Sequence, residues 1–205
     1  MFVLVTRVNA RTKLLDAAIS VIRAQGYAAT SVDDLCRAAG VTKGAFFHYF
    51  ASKDEMAVAV AEHWTTITVP LFEGAPYHQP INPAERVLAY VAFRKAILTG
   101  TAIPDFTCLA GTMVQETYNT HPDIRDACGA SIVGHAETLI PDIQAALDTA
   151  GQSGISARSL AIFTQSTLQG AFVLAKATNN PAVAADCCDH LTRYLKLIFA
   201  SEQKA

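Results

Sequence analysis

Apolar residues recur three and four positions apart along almost the whole chain, which is the spacing of residues on one face of an α-helix. The first such stretch covers residues 11–25, and its apolar positions are Leu14, Leu15, Ala18, Ile19 and Ile22. No sustained alternation of apolar and polar residues between hairpin turns occurs, so strands are not predicted. The pattern predicts an all-α fold of about nine helices.

Polar residues and glycines mark the ends of the first helices. Gly26 is suited to end the first helix in a left-handed conformation, and Thr30 or Ser31 is suited to cap a second, short helix. A Gly40–Val41 turn separates that helix from a third helix over residues 42–49. Two short helices are thus predicted to follow the first with a tight turn between them.

Glycine and proline residues divide the rest of the chain. A fourth helix is predicted to start at a capping box over residues 52–55 and to end at Pro70 or soon after it, and Pro83 suits the first turn of a fifth helix that ends near Thr99. Pro141 is expected to kink or split a later helix. The remaining helices are predicted over residues 108–118, 122–150, 157–178 and 182–200.

Charge is distributed unevenly along the 205 residues. Residues 1–53 contain seven basic and three acidic side chains, whereas the remainder contains nine basic and fifteen acidic ones, and the net charge is only −2. A basic head on an acidic body indicates that the first segment meets a polyanion, with chance as the alternative explanation. We predict a first domain over residues 1–52 and a second over residues 53–205.

The cysteines and the apolar runs indicate the compartment. The five cysteines are odd in number and include no C-x-x-C pair, so neither a disulfide framework nor a zinc site is predicted. No apolar run approaches the roughly 18 residues that cross a bilayer, and residues 1–5 are too short for the apolar part of a secretory signal. We therefore expect a cytoplasmic protein with reduced thiols, and we expect no metal and no cofactor.

The two short helices and their glycine turn fit a helix-turn-helix. The stretch from Gly26 and Tyr27 through SVDDLCRAAGVTKGAFFHYFASKDEM, which covers residues 31–56, resembles the DNA-binding region of the TetR family. The resemblance implies a bacterial transcription regulator with a DNA-binding N-terminal domain and a helical ligand-binding and dimerisation domain. It further implies a repressor that a small-molecule effector releases from double-stranded, palindromic operator DNA.

The helix-turn-helix supplies candidate DNA contacts of two kinds. Phosphate contacts are expected near the helix N-termini, at Thr30, Ser31, Thr42, Tyr49 and Lys53. Base contacts are expected from the third helix, at Lys43, Gly44, Ala45 and His48. The resemblance implies contact at Thr42, Lys43, Gly44, Tyr49 and Lys53 in particular. In the alternative interpretation, Ser31 and Thr42 only cap helices, and the core includes some of Phe46, Phe47 and Phe50.

A homodimer is expected because half-sites for such motifs lie about 34 to 36 Å apart. The last two predicted helices have wide apolar faces, and two such helices from each subunit would form a four-helix bundle of the kind that the resemblance implies. The candidate interface residues are Leu160, Phe163, Thr167, Gly170, Ala171, Leu174, Cys188, Leu191, Tyr194, Leu195 and Ile198. Alternatively, these faces pack only against the subunit's own core.

The predicted fourth to seventh helices carry more aromatic and polar residues than a spacer needs, which indicates a ligand pocket. The candidate lining residues are Trp64, Tyr90, Phe93, Phe106, Cys108, Met113, Glu116 and His135, with Phe72 and Tyr118 nearby in sequence. Each residue is alternatively part of the core. The segment around Cys108 also resembles a G-C-L-x-G helix start of one branch of the family, in which the cysteine senses electrophiles or oxidants, although Thr107 replaces the usual glycine.

Two other classes of function compete with a regulator. One is a thiol-dependent hydrolase in which Cys108 acts with His121 or His135, and the other is a helical scaffold whose N-terminal motif contacts protein. The sequence lacks a nucleophile elbow, a phosphate-binding loop, an H-E-x-x-H motif and a dinucleotide fingerprint. These absences favour a non-enzymatic regulator.

Overall fold

The computed structural model describes residues 9–200, and all regular structure in that part of the chain is helical. The first five residues, on which the prediction about a secretory signal rests, lie outside it. None of the described helices combines the length and apolar character needed to cross a bilayer. The helices are α1 (Ala10–Gln25), α2 (Val32–Ala39), α3 (Lys43–Tyr49), α4 (Lys53–Glu73), α5 (Pro83–Leu98), α6 (Ile103–Phe106), α7 (Leu109–Thr117), α8 (Pro122–Glu137), α9 (Ile140–Ala150), α10 (Ala157–Thr178) and α11 (Ala182–Ile198), with a short 3₁₀ turn at Pro76–His78.

The all-α class is confirmed, and so is the predicted break of a helix at Pro141. The long helix predicted from Pro122 is split into α8 and α9, with Pro141 in the first turn of α9, where its missing N–H has no helical partner to lose. A one-turn helix, α6, lies between the fifth helix and the one predicted from residue 108, where no helix was predicted. Helix α4 ends at Glu73, about one turn beyond Pro70, which agrees with the predicted end at Pro70 or soon after it.

The described helices group into two compact units. The N-terminal unit contains the described residues up to Thr66 together with Leu109–Ser131. The second unit contains Ile67–Cys108 and the described residues from Ile132 onward. Helices α4 and α8 each contribute residues to both units. The two compact units therefore do not coincide with the two domains predicted on either side of residue 52.

The first three helices of the N-terminal unit share one apolar core. Leu14 and Ile22 of α1, Leu35 of α2 and Phe46 of α3 are completely buried, and burial of each such side chain stabilises the fold by roughly 1.5–3 kcal/mol. Phe50, directly after α3, packs against Phe46 with 5.7 Å between ring centroids. One side of α3 is therefore anchored in the core, which directs the opposite side outward.

The second unit is built around α5, α9, α10 and α11. Val91 of α5, Ile143 and Leu147 of α9, Ala161 of α10 and Leu195 of α11 are completely buried in one cluster. The buried positions of α5 follow the helical period, at Val87, Tyr90, Val91, Arg94 and Leu98. An arginine thus occupies a position that the period otherwise gives to apolar residues.

Candidate nucleic-acid interface

The turn between α2 and α3 is set by two caps and one glycine. Ser31 and Asp34 form a capping box at the start of α2, with 3.1 Å from the Asp34 amide to the Ser31 hydroxyl and 3.0 Å from the Ser31 amide to the Asp34 carboxylate. The bonds from Ser31 lower the pKa of that carboxyl. Gly40 ends α2 with φ of +64°, and the Thr42 hydroxyl caps α3 by accepting from the Ala45 amide at 3.1 Å.

The outward side of α3 carries the candidate base-reading groups. Lys43, Gly44, Phe47 and His48 are all exposed, whereas Ala45 is half-buried. We call these four exposed residues the α3 face. Phe47 is 56% exposed, and its position four residues after Lys43 is the signal that could have added it to the predicted set. Of the four predicted base contacts, Lys43, Gly44 and His48 lie together on this face, and Ala45 does not.

The exposed charges on α2 and α3 are paired with each other. The Lys43 ammonium lies 2.8 Å from the Asp33 carboxylate, and Arg37 lies 2.9 Å from Asp34. The bond to Asp33 raises the pKa of Lys43, so the ammonium keeps its charge at neutral pH. Because these pairs face water, they stabilise the fold little and can be exchanged for contacts to phosphate or base.

The predicted phosphate contacts divide into exposed and internally bonded groups. Thr42 is exposed, and its hydroxyl hydrogen remains available while the oxygen caps α3. Tyr49 is half-buried, with its ring edge against His48 at 4.8 Å between centroids. Thr30 requires a correction, because it is buried and its hydroxyl donates to the carbonyl oxygen of Gly26 at 2.6 Å. Its side chain belongs to the loop, which leaves it unsuited to reach a phosphate.

Lys53 at the start of α4 supports the loop between α1 and α2. Its ammonium donates to the carbonyl oxygens of Tyr27 at 3.1 Å and Thr30 at 3.0 Å, and it lies 4.2 Å from the centre of the Tyr27 ring. The Tyr27 hydroxyl bonds to Asp54, and burial together with this carboxylate raises the pKa of Tyr27. Lys53 therefore retains one hydrogen for DNA and has a structural role that the sequence did not reveal.

Helix α7 clamps the same loop. The Glu116 carboxylate accepts from the amides of Tyr27 at 3.0 Å and Ala28 at 2.7 Å. Gly26 has φ of +89°, which favours glycine, and a β-carbon there would lie 2.6 Å from Glu116 Oε1, so a larger residue would also displace the Glu116 carboxylate. His121 packs its ring edge-on against Tyr27 with 5.9 Å between centroids. The helix-turn-helix is thus held by residues more than eighty positions away.

Glu116 and two other predicted pocket residues belong to the N-terminal unit and have partners there. Trp64 lies beneath the Arg23 guanidinium, 5.1 Å from the ring centre, and Met113 is completely buried. A groove of about 720 Å³ in this unit is lined largely by acidic and small residues, including Asp54, Glu62 and Asp123. No predicted pocket residue lines that groove. Within this unit, the three residues act as packing and clamping groups.

The other five predicted pocket residues lie in the second unit, where two of them contact an arginine. Tyr90 is completely buried, and its hydroxyl lies 2.9 Å from His135 Nε2 and 3.0 Å from Arg94 Nη1. Arg94 was not among the predicted residues. Burial, together with the positive charge of Arg94, lowers the pKa of His135 to about 4, and burial raises the pKa of Tyr90.

Aromatic rings surround this group. The Arg94 guanidinium carbon lies 5.3 Å, 5.9 Å and 5.5 Å from the ring centres of Phe72, Tyr90 and Phe172. We call Arg94, Tyr90, His135, Phe72 and Phe172 the Arg94 cluster. The remaining predicted pocket residues lie near its edge or just before α7: Phe93 packs on Phe72 at 5.8 Å, Phe106 on Phe172 at 5.9 Å, and half-buried Cys108 precedes α7.

The cysteine-based alternatives concern the five thiols and the histidines that could act with Cys108. The five cysteines form no disulfide. His135 directs its Nε2 atom to Tyr90 and Arg94. Within residues 9–200, no three His, Cys, Asp or Glu side chains are grouped so that they could hold a metal ion.

The predicted dimer residues separate into an outer and an inner set. Leu160, Ala171, Cys188, Leu191 and Leu195 are buried inside the second unit's own core, which removes them from a face that a partner could touch. Phe163, Gly170, Leu174 and Tyr194 are exposed, and Thr167 and Ile198 are half-buried. Phe163 of α10 lies 5.1 Å from Tyr194 of α11 between ring centroids, so the exposed apolar residues continue across both helices.

Two family profiles match the sequence. Residues 14–60 match the bacterial regulatory proteins of the tetR family, and residues 83–188 match the C-terminal domain of LmrA/YxaF-like transcriptional regulators. The first match covers α2, α3 and the α1–α2 loop with its flanking helices. The second covers slightly more than half of the chain and includes every residue of the Arg94 cluster except Phe72.

Individual relatives agree with these profiles. The transcriptional regulator AcuR of Cereibacter sphaeroides is 29% identical over 131 residues, which is 63% of this chain and 57% of that protein. The transcriptional repressor KstR2 of Rhodococcus jostii is 44% identical over 46 residues, 22% of either chain. The chain thus matches less than two thirds of the length of these relatives.

Solved structures show the same fold at low sequence identity. A TetR-family regulator from Agrobacterium tumefaciens superposes with a TM-score of 0.76 at 16% identity, covering 90% of this chain and 96% of that one. The regulator FadR of Bacillus subtilis, solved with stearoyl-CoA, gives a TM-score of 0.69 at 16% identity, covering 90% and 99%.

Proposed function

The chain belongs to the TetR family of transcriptional regulators, a class of regulators rather than enzymes, and from this premise we propose that it is a repressor that a small molecule releases from a palindromic operator. The α3 face is the observation that carries the proposal. A helix anchored by Phe46 and Phe50 presents Lys43, Phe47 and His48 to solvent on one side. Such a helix can enter a major groove.

The residues of this unit divide the work of binding DNA. Lys43 is suited to the acceptor atoms of guanine, Phe47 to the methyl group of thymine, and Gly44 to close approach of the backbone. Thr42, Tyr49 and the remaining Lys53 hydrogen supply phosphate contacts that fix the register. Ser31 keeps its hydroxyl in the α2 capping box. Sequence specificity therefore rests on the α3 face, and the affinity for DNA rests largely on the phosphate contacts of Thr42, Tyr49 and Lys53.

Dimerisation through the outer residues of α10 and α11 places two such helices on one operator. The exposed Phe163, Gly170, Leu174 and Tyr194 are supported as interface residues by their apolar character and by the continuity between the two helices. A second copy of the chain is the expected occupant because a palindromic site requires two-fold symmetry. We expect the dimer to act in the cytoplasm.

Two further comparisons support repression and ligand-dependent release. KstR2 is named as a repressor, and FadR was solved with a bound acyl-coenzyme A, which supports a ligand-dependent repressor here. A ligand releases DNA if it binds more tightly to the conformer whose two α3 helices mismatch the operator. A difference of about 1–3 kcal/mol between conformers weakens DNA binding roughly 5- to 150-fold.

Selection of duplexes from a random pool, followed by binding measurements over a range of salt concentrations, tests the proposal. The expected result is a palindromic consensus bound by two copies, with affinity that falls steeply as salt rises. Recovery of unrelated duplexes with equal affinity would overturn sequence-specific repression. Binding of a protein partner instead of DNA would favour the scaffold interpretation.

A further inference from the structure

Arg94 occupies an apolar position in the interior of the second unit. It follows Val87, Tyr90 and Val91 on the buried side of α5, and only 8% of the residue is exposed. The guanidinium is charged at neutral pH, because arginine is not deprotonated in proteins. A buried cation is costly to the fold unless an anion and hydrogen bonds compensate for the lost water.

The described part of the chain provides no such anion. Among residues 9–200, no Asp or Glu carboxylate forms an ion pair with Arg94. Its neighbours are the rings of Phe72, Tyr90 and Phe172, which offer their faces but no negative charge. The residues that the structure describes therefore compensate the positive charge of Arg94 only in part.

The hydrogen bonds of Arg94 use only one corner of the guanidinium. Nη1 donates to the Tyr90 hydroxyl at 3.0 Å and approaches His135 Nε2 at 3.4 Å. Tyr90 can donate to His135 Nε2 when the imidazole is neutral with its proton on Nδ1, and the same tautomer lets Nε2 accept from Arg94. This arrangement fixes the orientation of the guanidinium, while Nε and Nη2 have no acceptor among the described residues.

Two glutamines on α10 give an independent indication of a missing polar partner. Gln165 is 5% exposed, and its Oε1 atom is buried without a hydrogen-bond partner, as is Nε2 of Gln169. Gln169 lies three positions, and Gln165 seven positions, before Phe172, so all three share one side of the helix. The side of α10 that supplies a ring to Arg94 thus also carries unsatisfied amide atoms.

We propose that the Arg94 cluster is the binding site for a small organic monoanion, a carboxylate carried on an apolar body. Arg94 receives the carboxylate through its free edge, the rings of Phe72 and Phe172 contact the apolar body, and the α10 amides complete the polar contacts. One charge is expected because His135 is neutral and Arg94 is the single cation of the cluster. This inference rests on the proposed function, since it names the class of effector for that regulator.

The test uses the full-length protein and matched pairs of probes. Straight-chain carboxylates of two to ten carbons and benzoate are compared with their primary amides by calorimetry and by thermal unfolding. We expect at least one carboxylate to bind and to raise the unfolding temperature, whereas its amide binds about ten- to a hundredfold more weakly, because the charge-assisted bonds to Arg94 are lost. Inorganic phosphate serves as a second anion.

Variants separate ligand binding from folding. Arg94→Met replaces the cation with an apolar side chain of similar length, so the ligand-free variant should unfold at the same or a higher temperature while carboxylate binding is lost. Arg94→Lys keeps the charge but not the forked geometry and should bind about tenfold more weakly. If Arg94→Met does not fold, Arg94→Lys together with the amide probes decides the question.

Three results would overturn the inference: equal binding of carboxylate and amide, undiminished carboxylate binding by Arg94→Met or Arg94→Lys, or phosphate binding that matches that of the carboxylates. Operator binding is measured separately on the same samples. Loss of every DNA complex with carboxylate binding intact would count against the proposed repressor only. Intact operator binding with no response to any carboxylate would count against the Arg94 site only.

Discussion

The α3 face and the Arg94 cluster hold their positive charges in opposite ways. Lys43 on α3 is exposed and paired with Asp33 at 2.8 Å, in an ion pair that water can replace. Arg94 on α5 is buried, and the described chain offers it aromatic rings and neutral donors and acceptors instead of an acid. The surface charge can be transferred to DNA at little cost, whereas the interior charge is compensated by aromatic rings and neutral hydrogen-bonding groups.

A charge that folding energy alone does not explain points to a site kept for its function. A lysine on a solvated helix needs no special explanation in terms of folding energy. A buried arginine among Val87, Val91 and Phe172 does need one, because an apolar residue would fold at least as well there. The interior of the second unit is therefore the region in which function can be inferred from a conflict with stability.

The largest expected effect comes from separating the two copies of the α3 face. Leu174→Glu places a charge on the exposed side of α10, where the residue is 50% exposed in the single chain. We expect a monomer by sedimentation and a loss of operator affinity of about a hundredfold to ten-thousandfold, because the second half-site contact is no longer intramolecular. Ile81→Glu, at a fully exposed position of the same unit, is the control and should leave a dimer. A dimeric Leu174→Glu variant with full affinity would rule out this interface.

A second prediction concerns the interior and depends on pH. His135 has a pKa lowered from 6.5 to about 4, so between these values the unfolded chain binds a proton that the folded chain does not. Stability should therefore fall as pH drops from 6.5 to 4, by up to roughly 3 kcal/mol from this residue, and its contribution should be constant outside that range.

Denaturant unfolding at several pH values measures this effect. His135→Gln should remove most of the slope between pH 6.5 and 4, while His190→Gln, at an exposed position of α11, should retain it. An unchanged slope in His135→Gln would show that the imidazole is not held neutral by the Arg94 cluster. The same experiment would then weaken the contrast between the buried and the exposed charges.

The two regions also differ in how far the sequence alone predicts them. Helices α1 to α3, their caps and the turn at Gly40 follow from signals within a few residues, which is why the helix-turn-helix could be recognised. The contact of Glu116 with Ala28 joins residues 88 positions apart, and Arg94 meets His135 across 41 positions. Such pairings depend on the packing of whole helices, so no local pattern reveals them.

Local patterns nevertheless contained some unused information. Arg94 continues the helical period of Val87, Tyr90 and Val91, so a charge at an apolar position was visible in the sequence. Phe47 likewise shares a helix side with Lys43, although aromatic character favoured a place in the core. The dimer residues were predicted as whole apolar stripes, and only the structure separates their buried members from the exposed ones.

A third prediction divides specificity from affinity within the N-terminal unit. Lys43→Ala should reduce discrimination at one base pair by about tenfold, because a donor to a base edge is removed. Lys53→Ala should weaken binding to all duplexes about equally and lower the salt slope by about one. Because Lys53 also bonds to Tyr27 and Thr30, the unfolding temperature of the Lys53→Ala variant should fall as well. Equal loss of discrimination in both variants would contradict this division.

The smallest expected effects are at Gly44, where stability and DNA binding should change in opposite directions. A β-carbon there would meet only the Thr42 hydroxyl at 3.7 Å, an ordinary contact, so the free protein has room for alanine. Gly44→Ala should raise stability by about 0.5–1 kcal/mol through helix propensity. If the backbone of α3 approaches DNA closely at this point, the added methyl group should weaken operator binding several-fold.

Gly129→Ala in α8 is the matched control, since no atom lies within 4 Å of a β-carbon there. It should gain similar stability without a change in operator affinity, measured by titration of a labelled duplex beside the unfolding curves. If Gly44→Ala also left operator affinity unchanged, the glycine would not mark close approach, and base reading would shift to Lys43 and Phe47. Because the free protein permits the methyl group, a selective loss of binding in Gly44→Ala can come only from the DNA side of the interface.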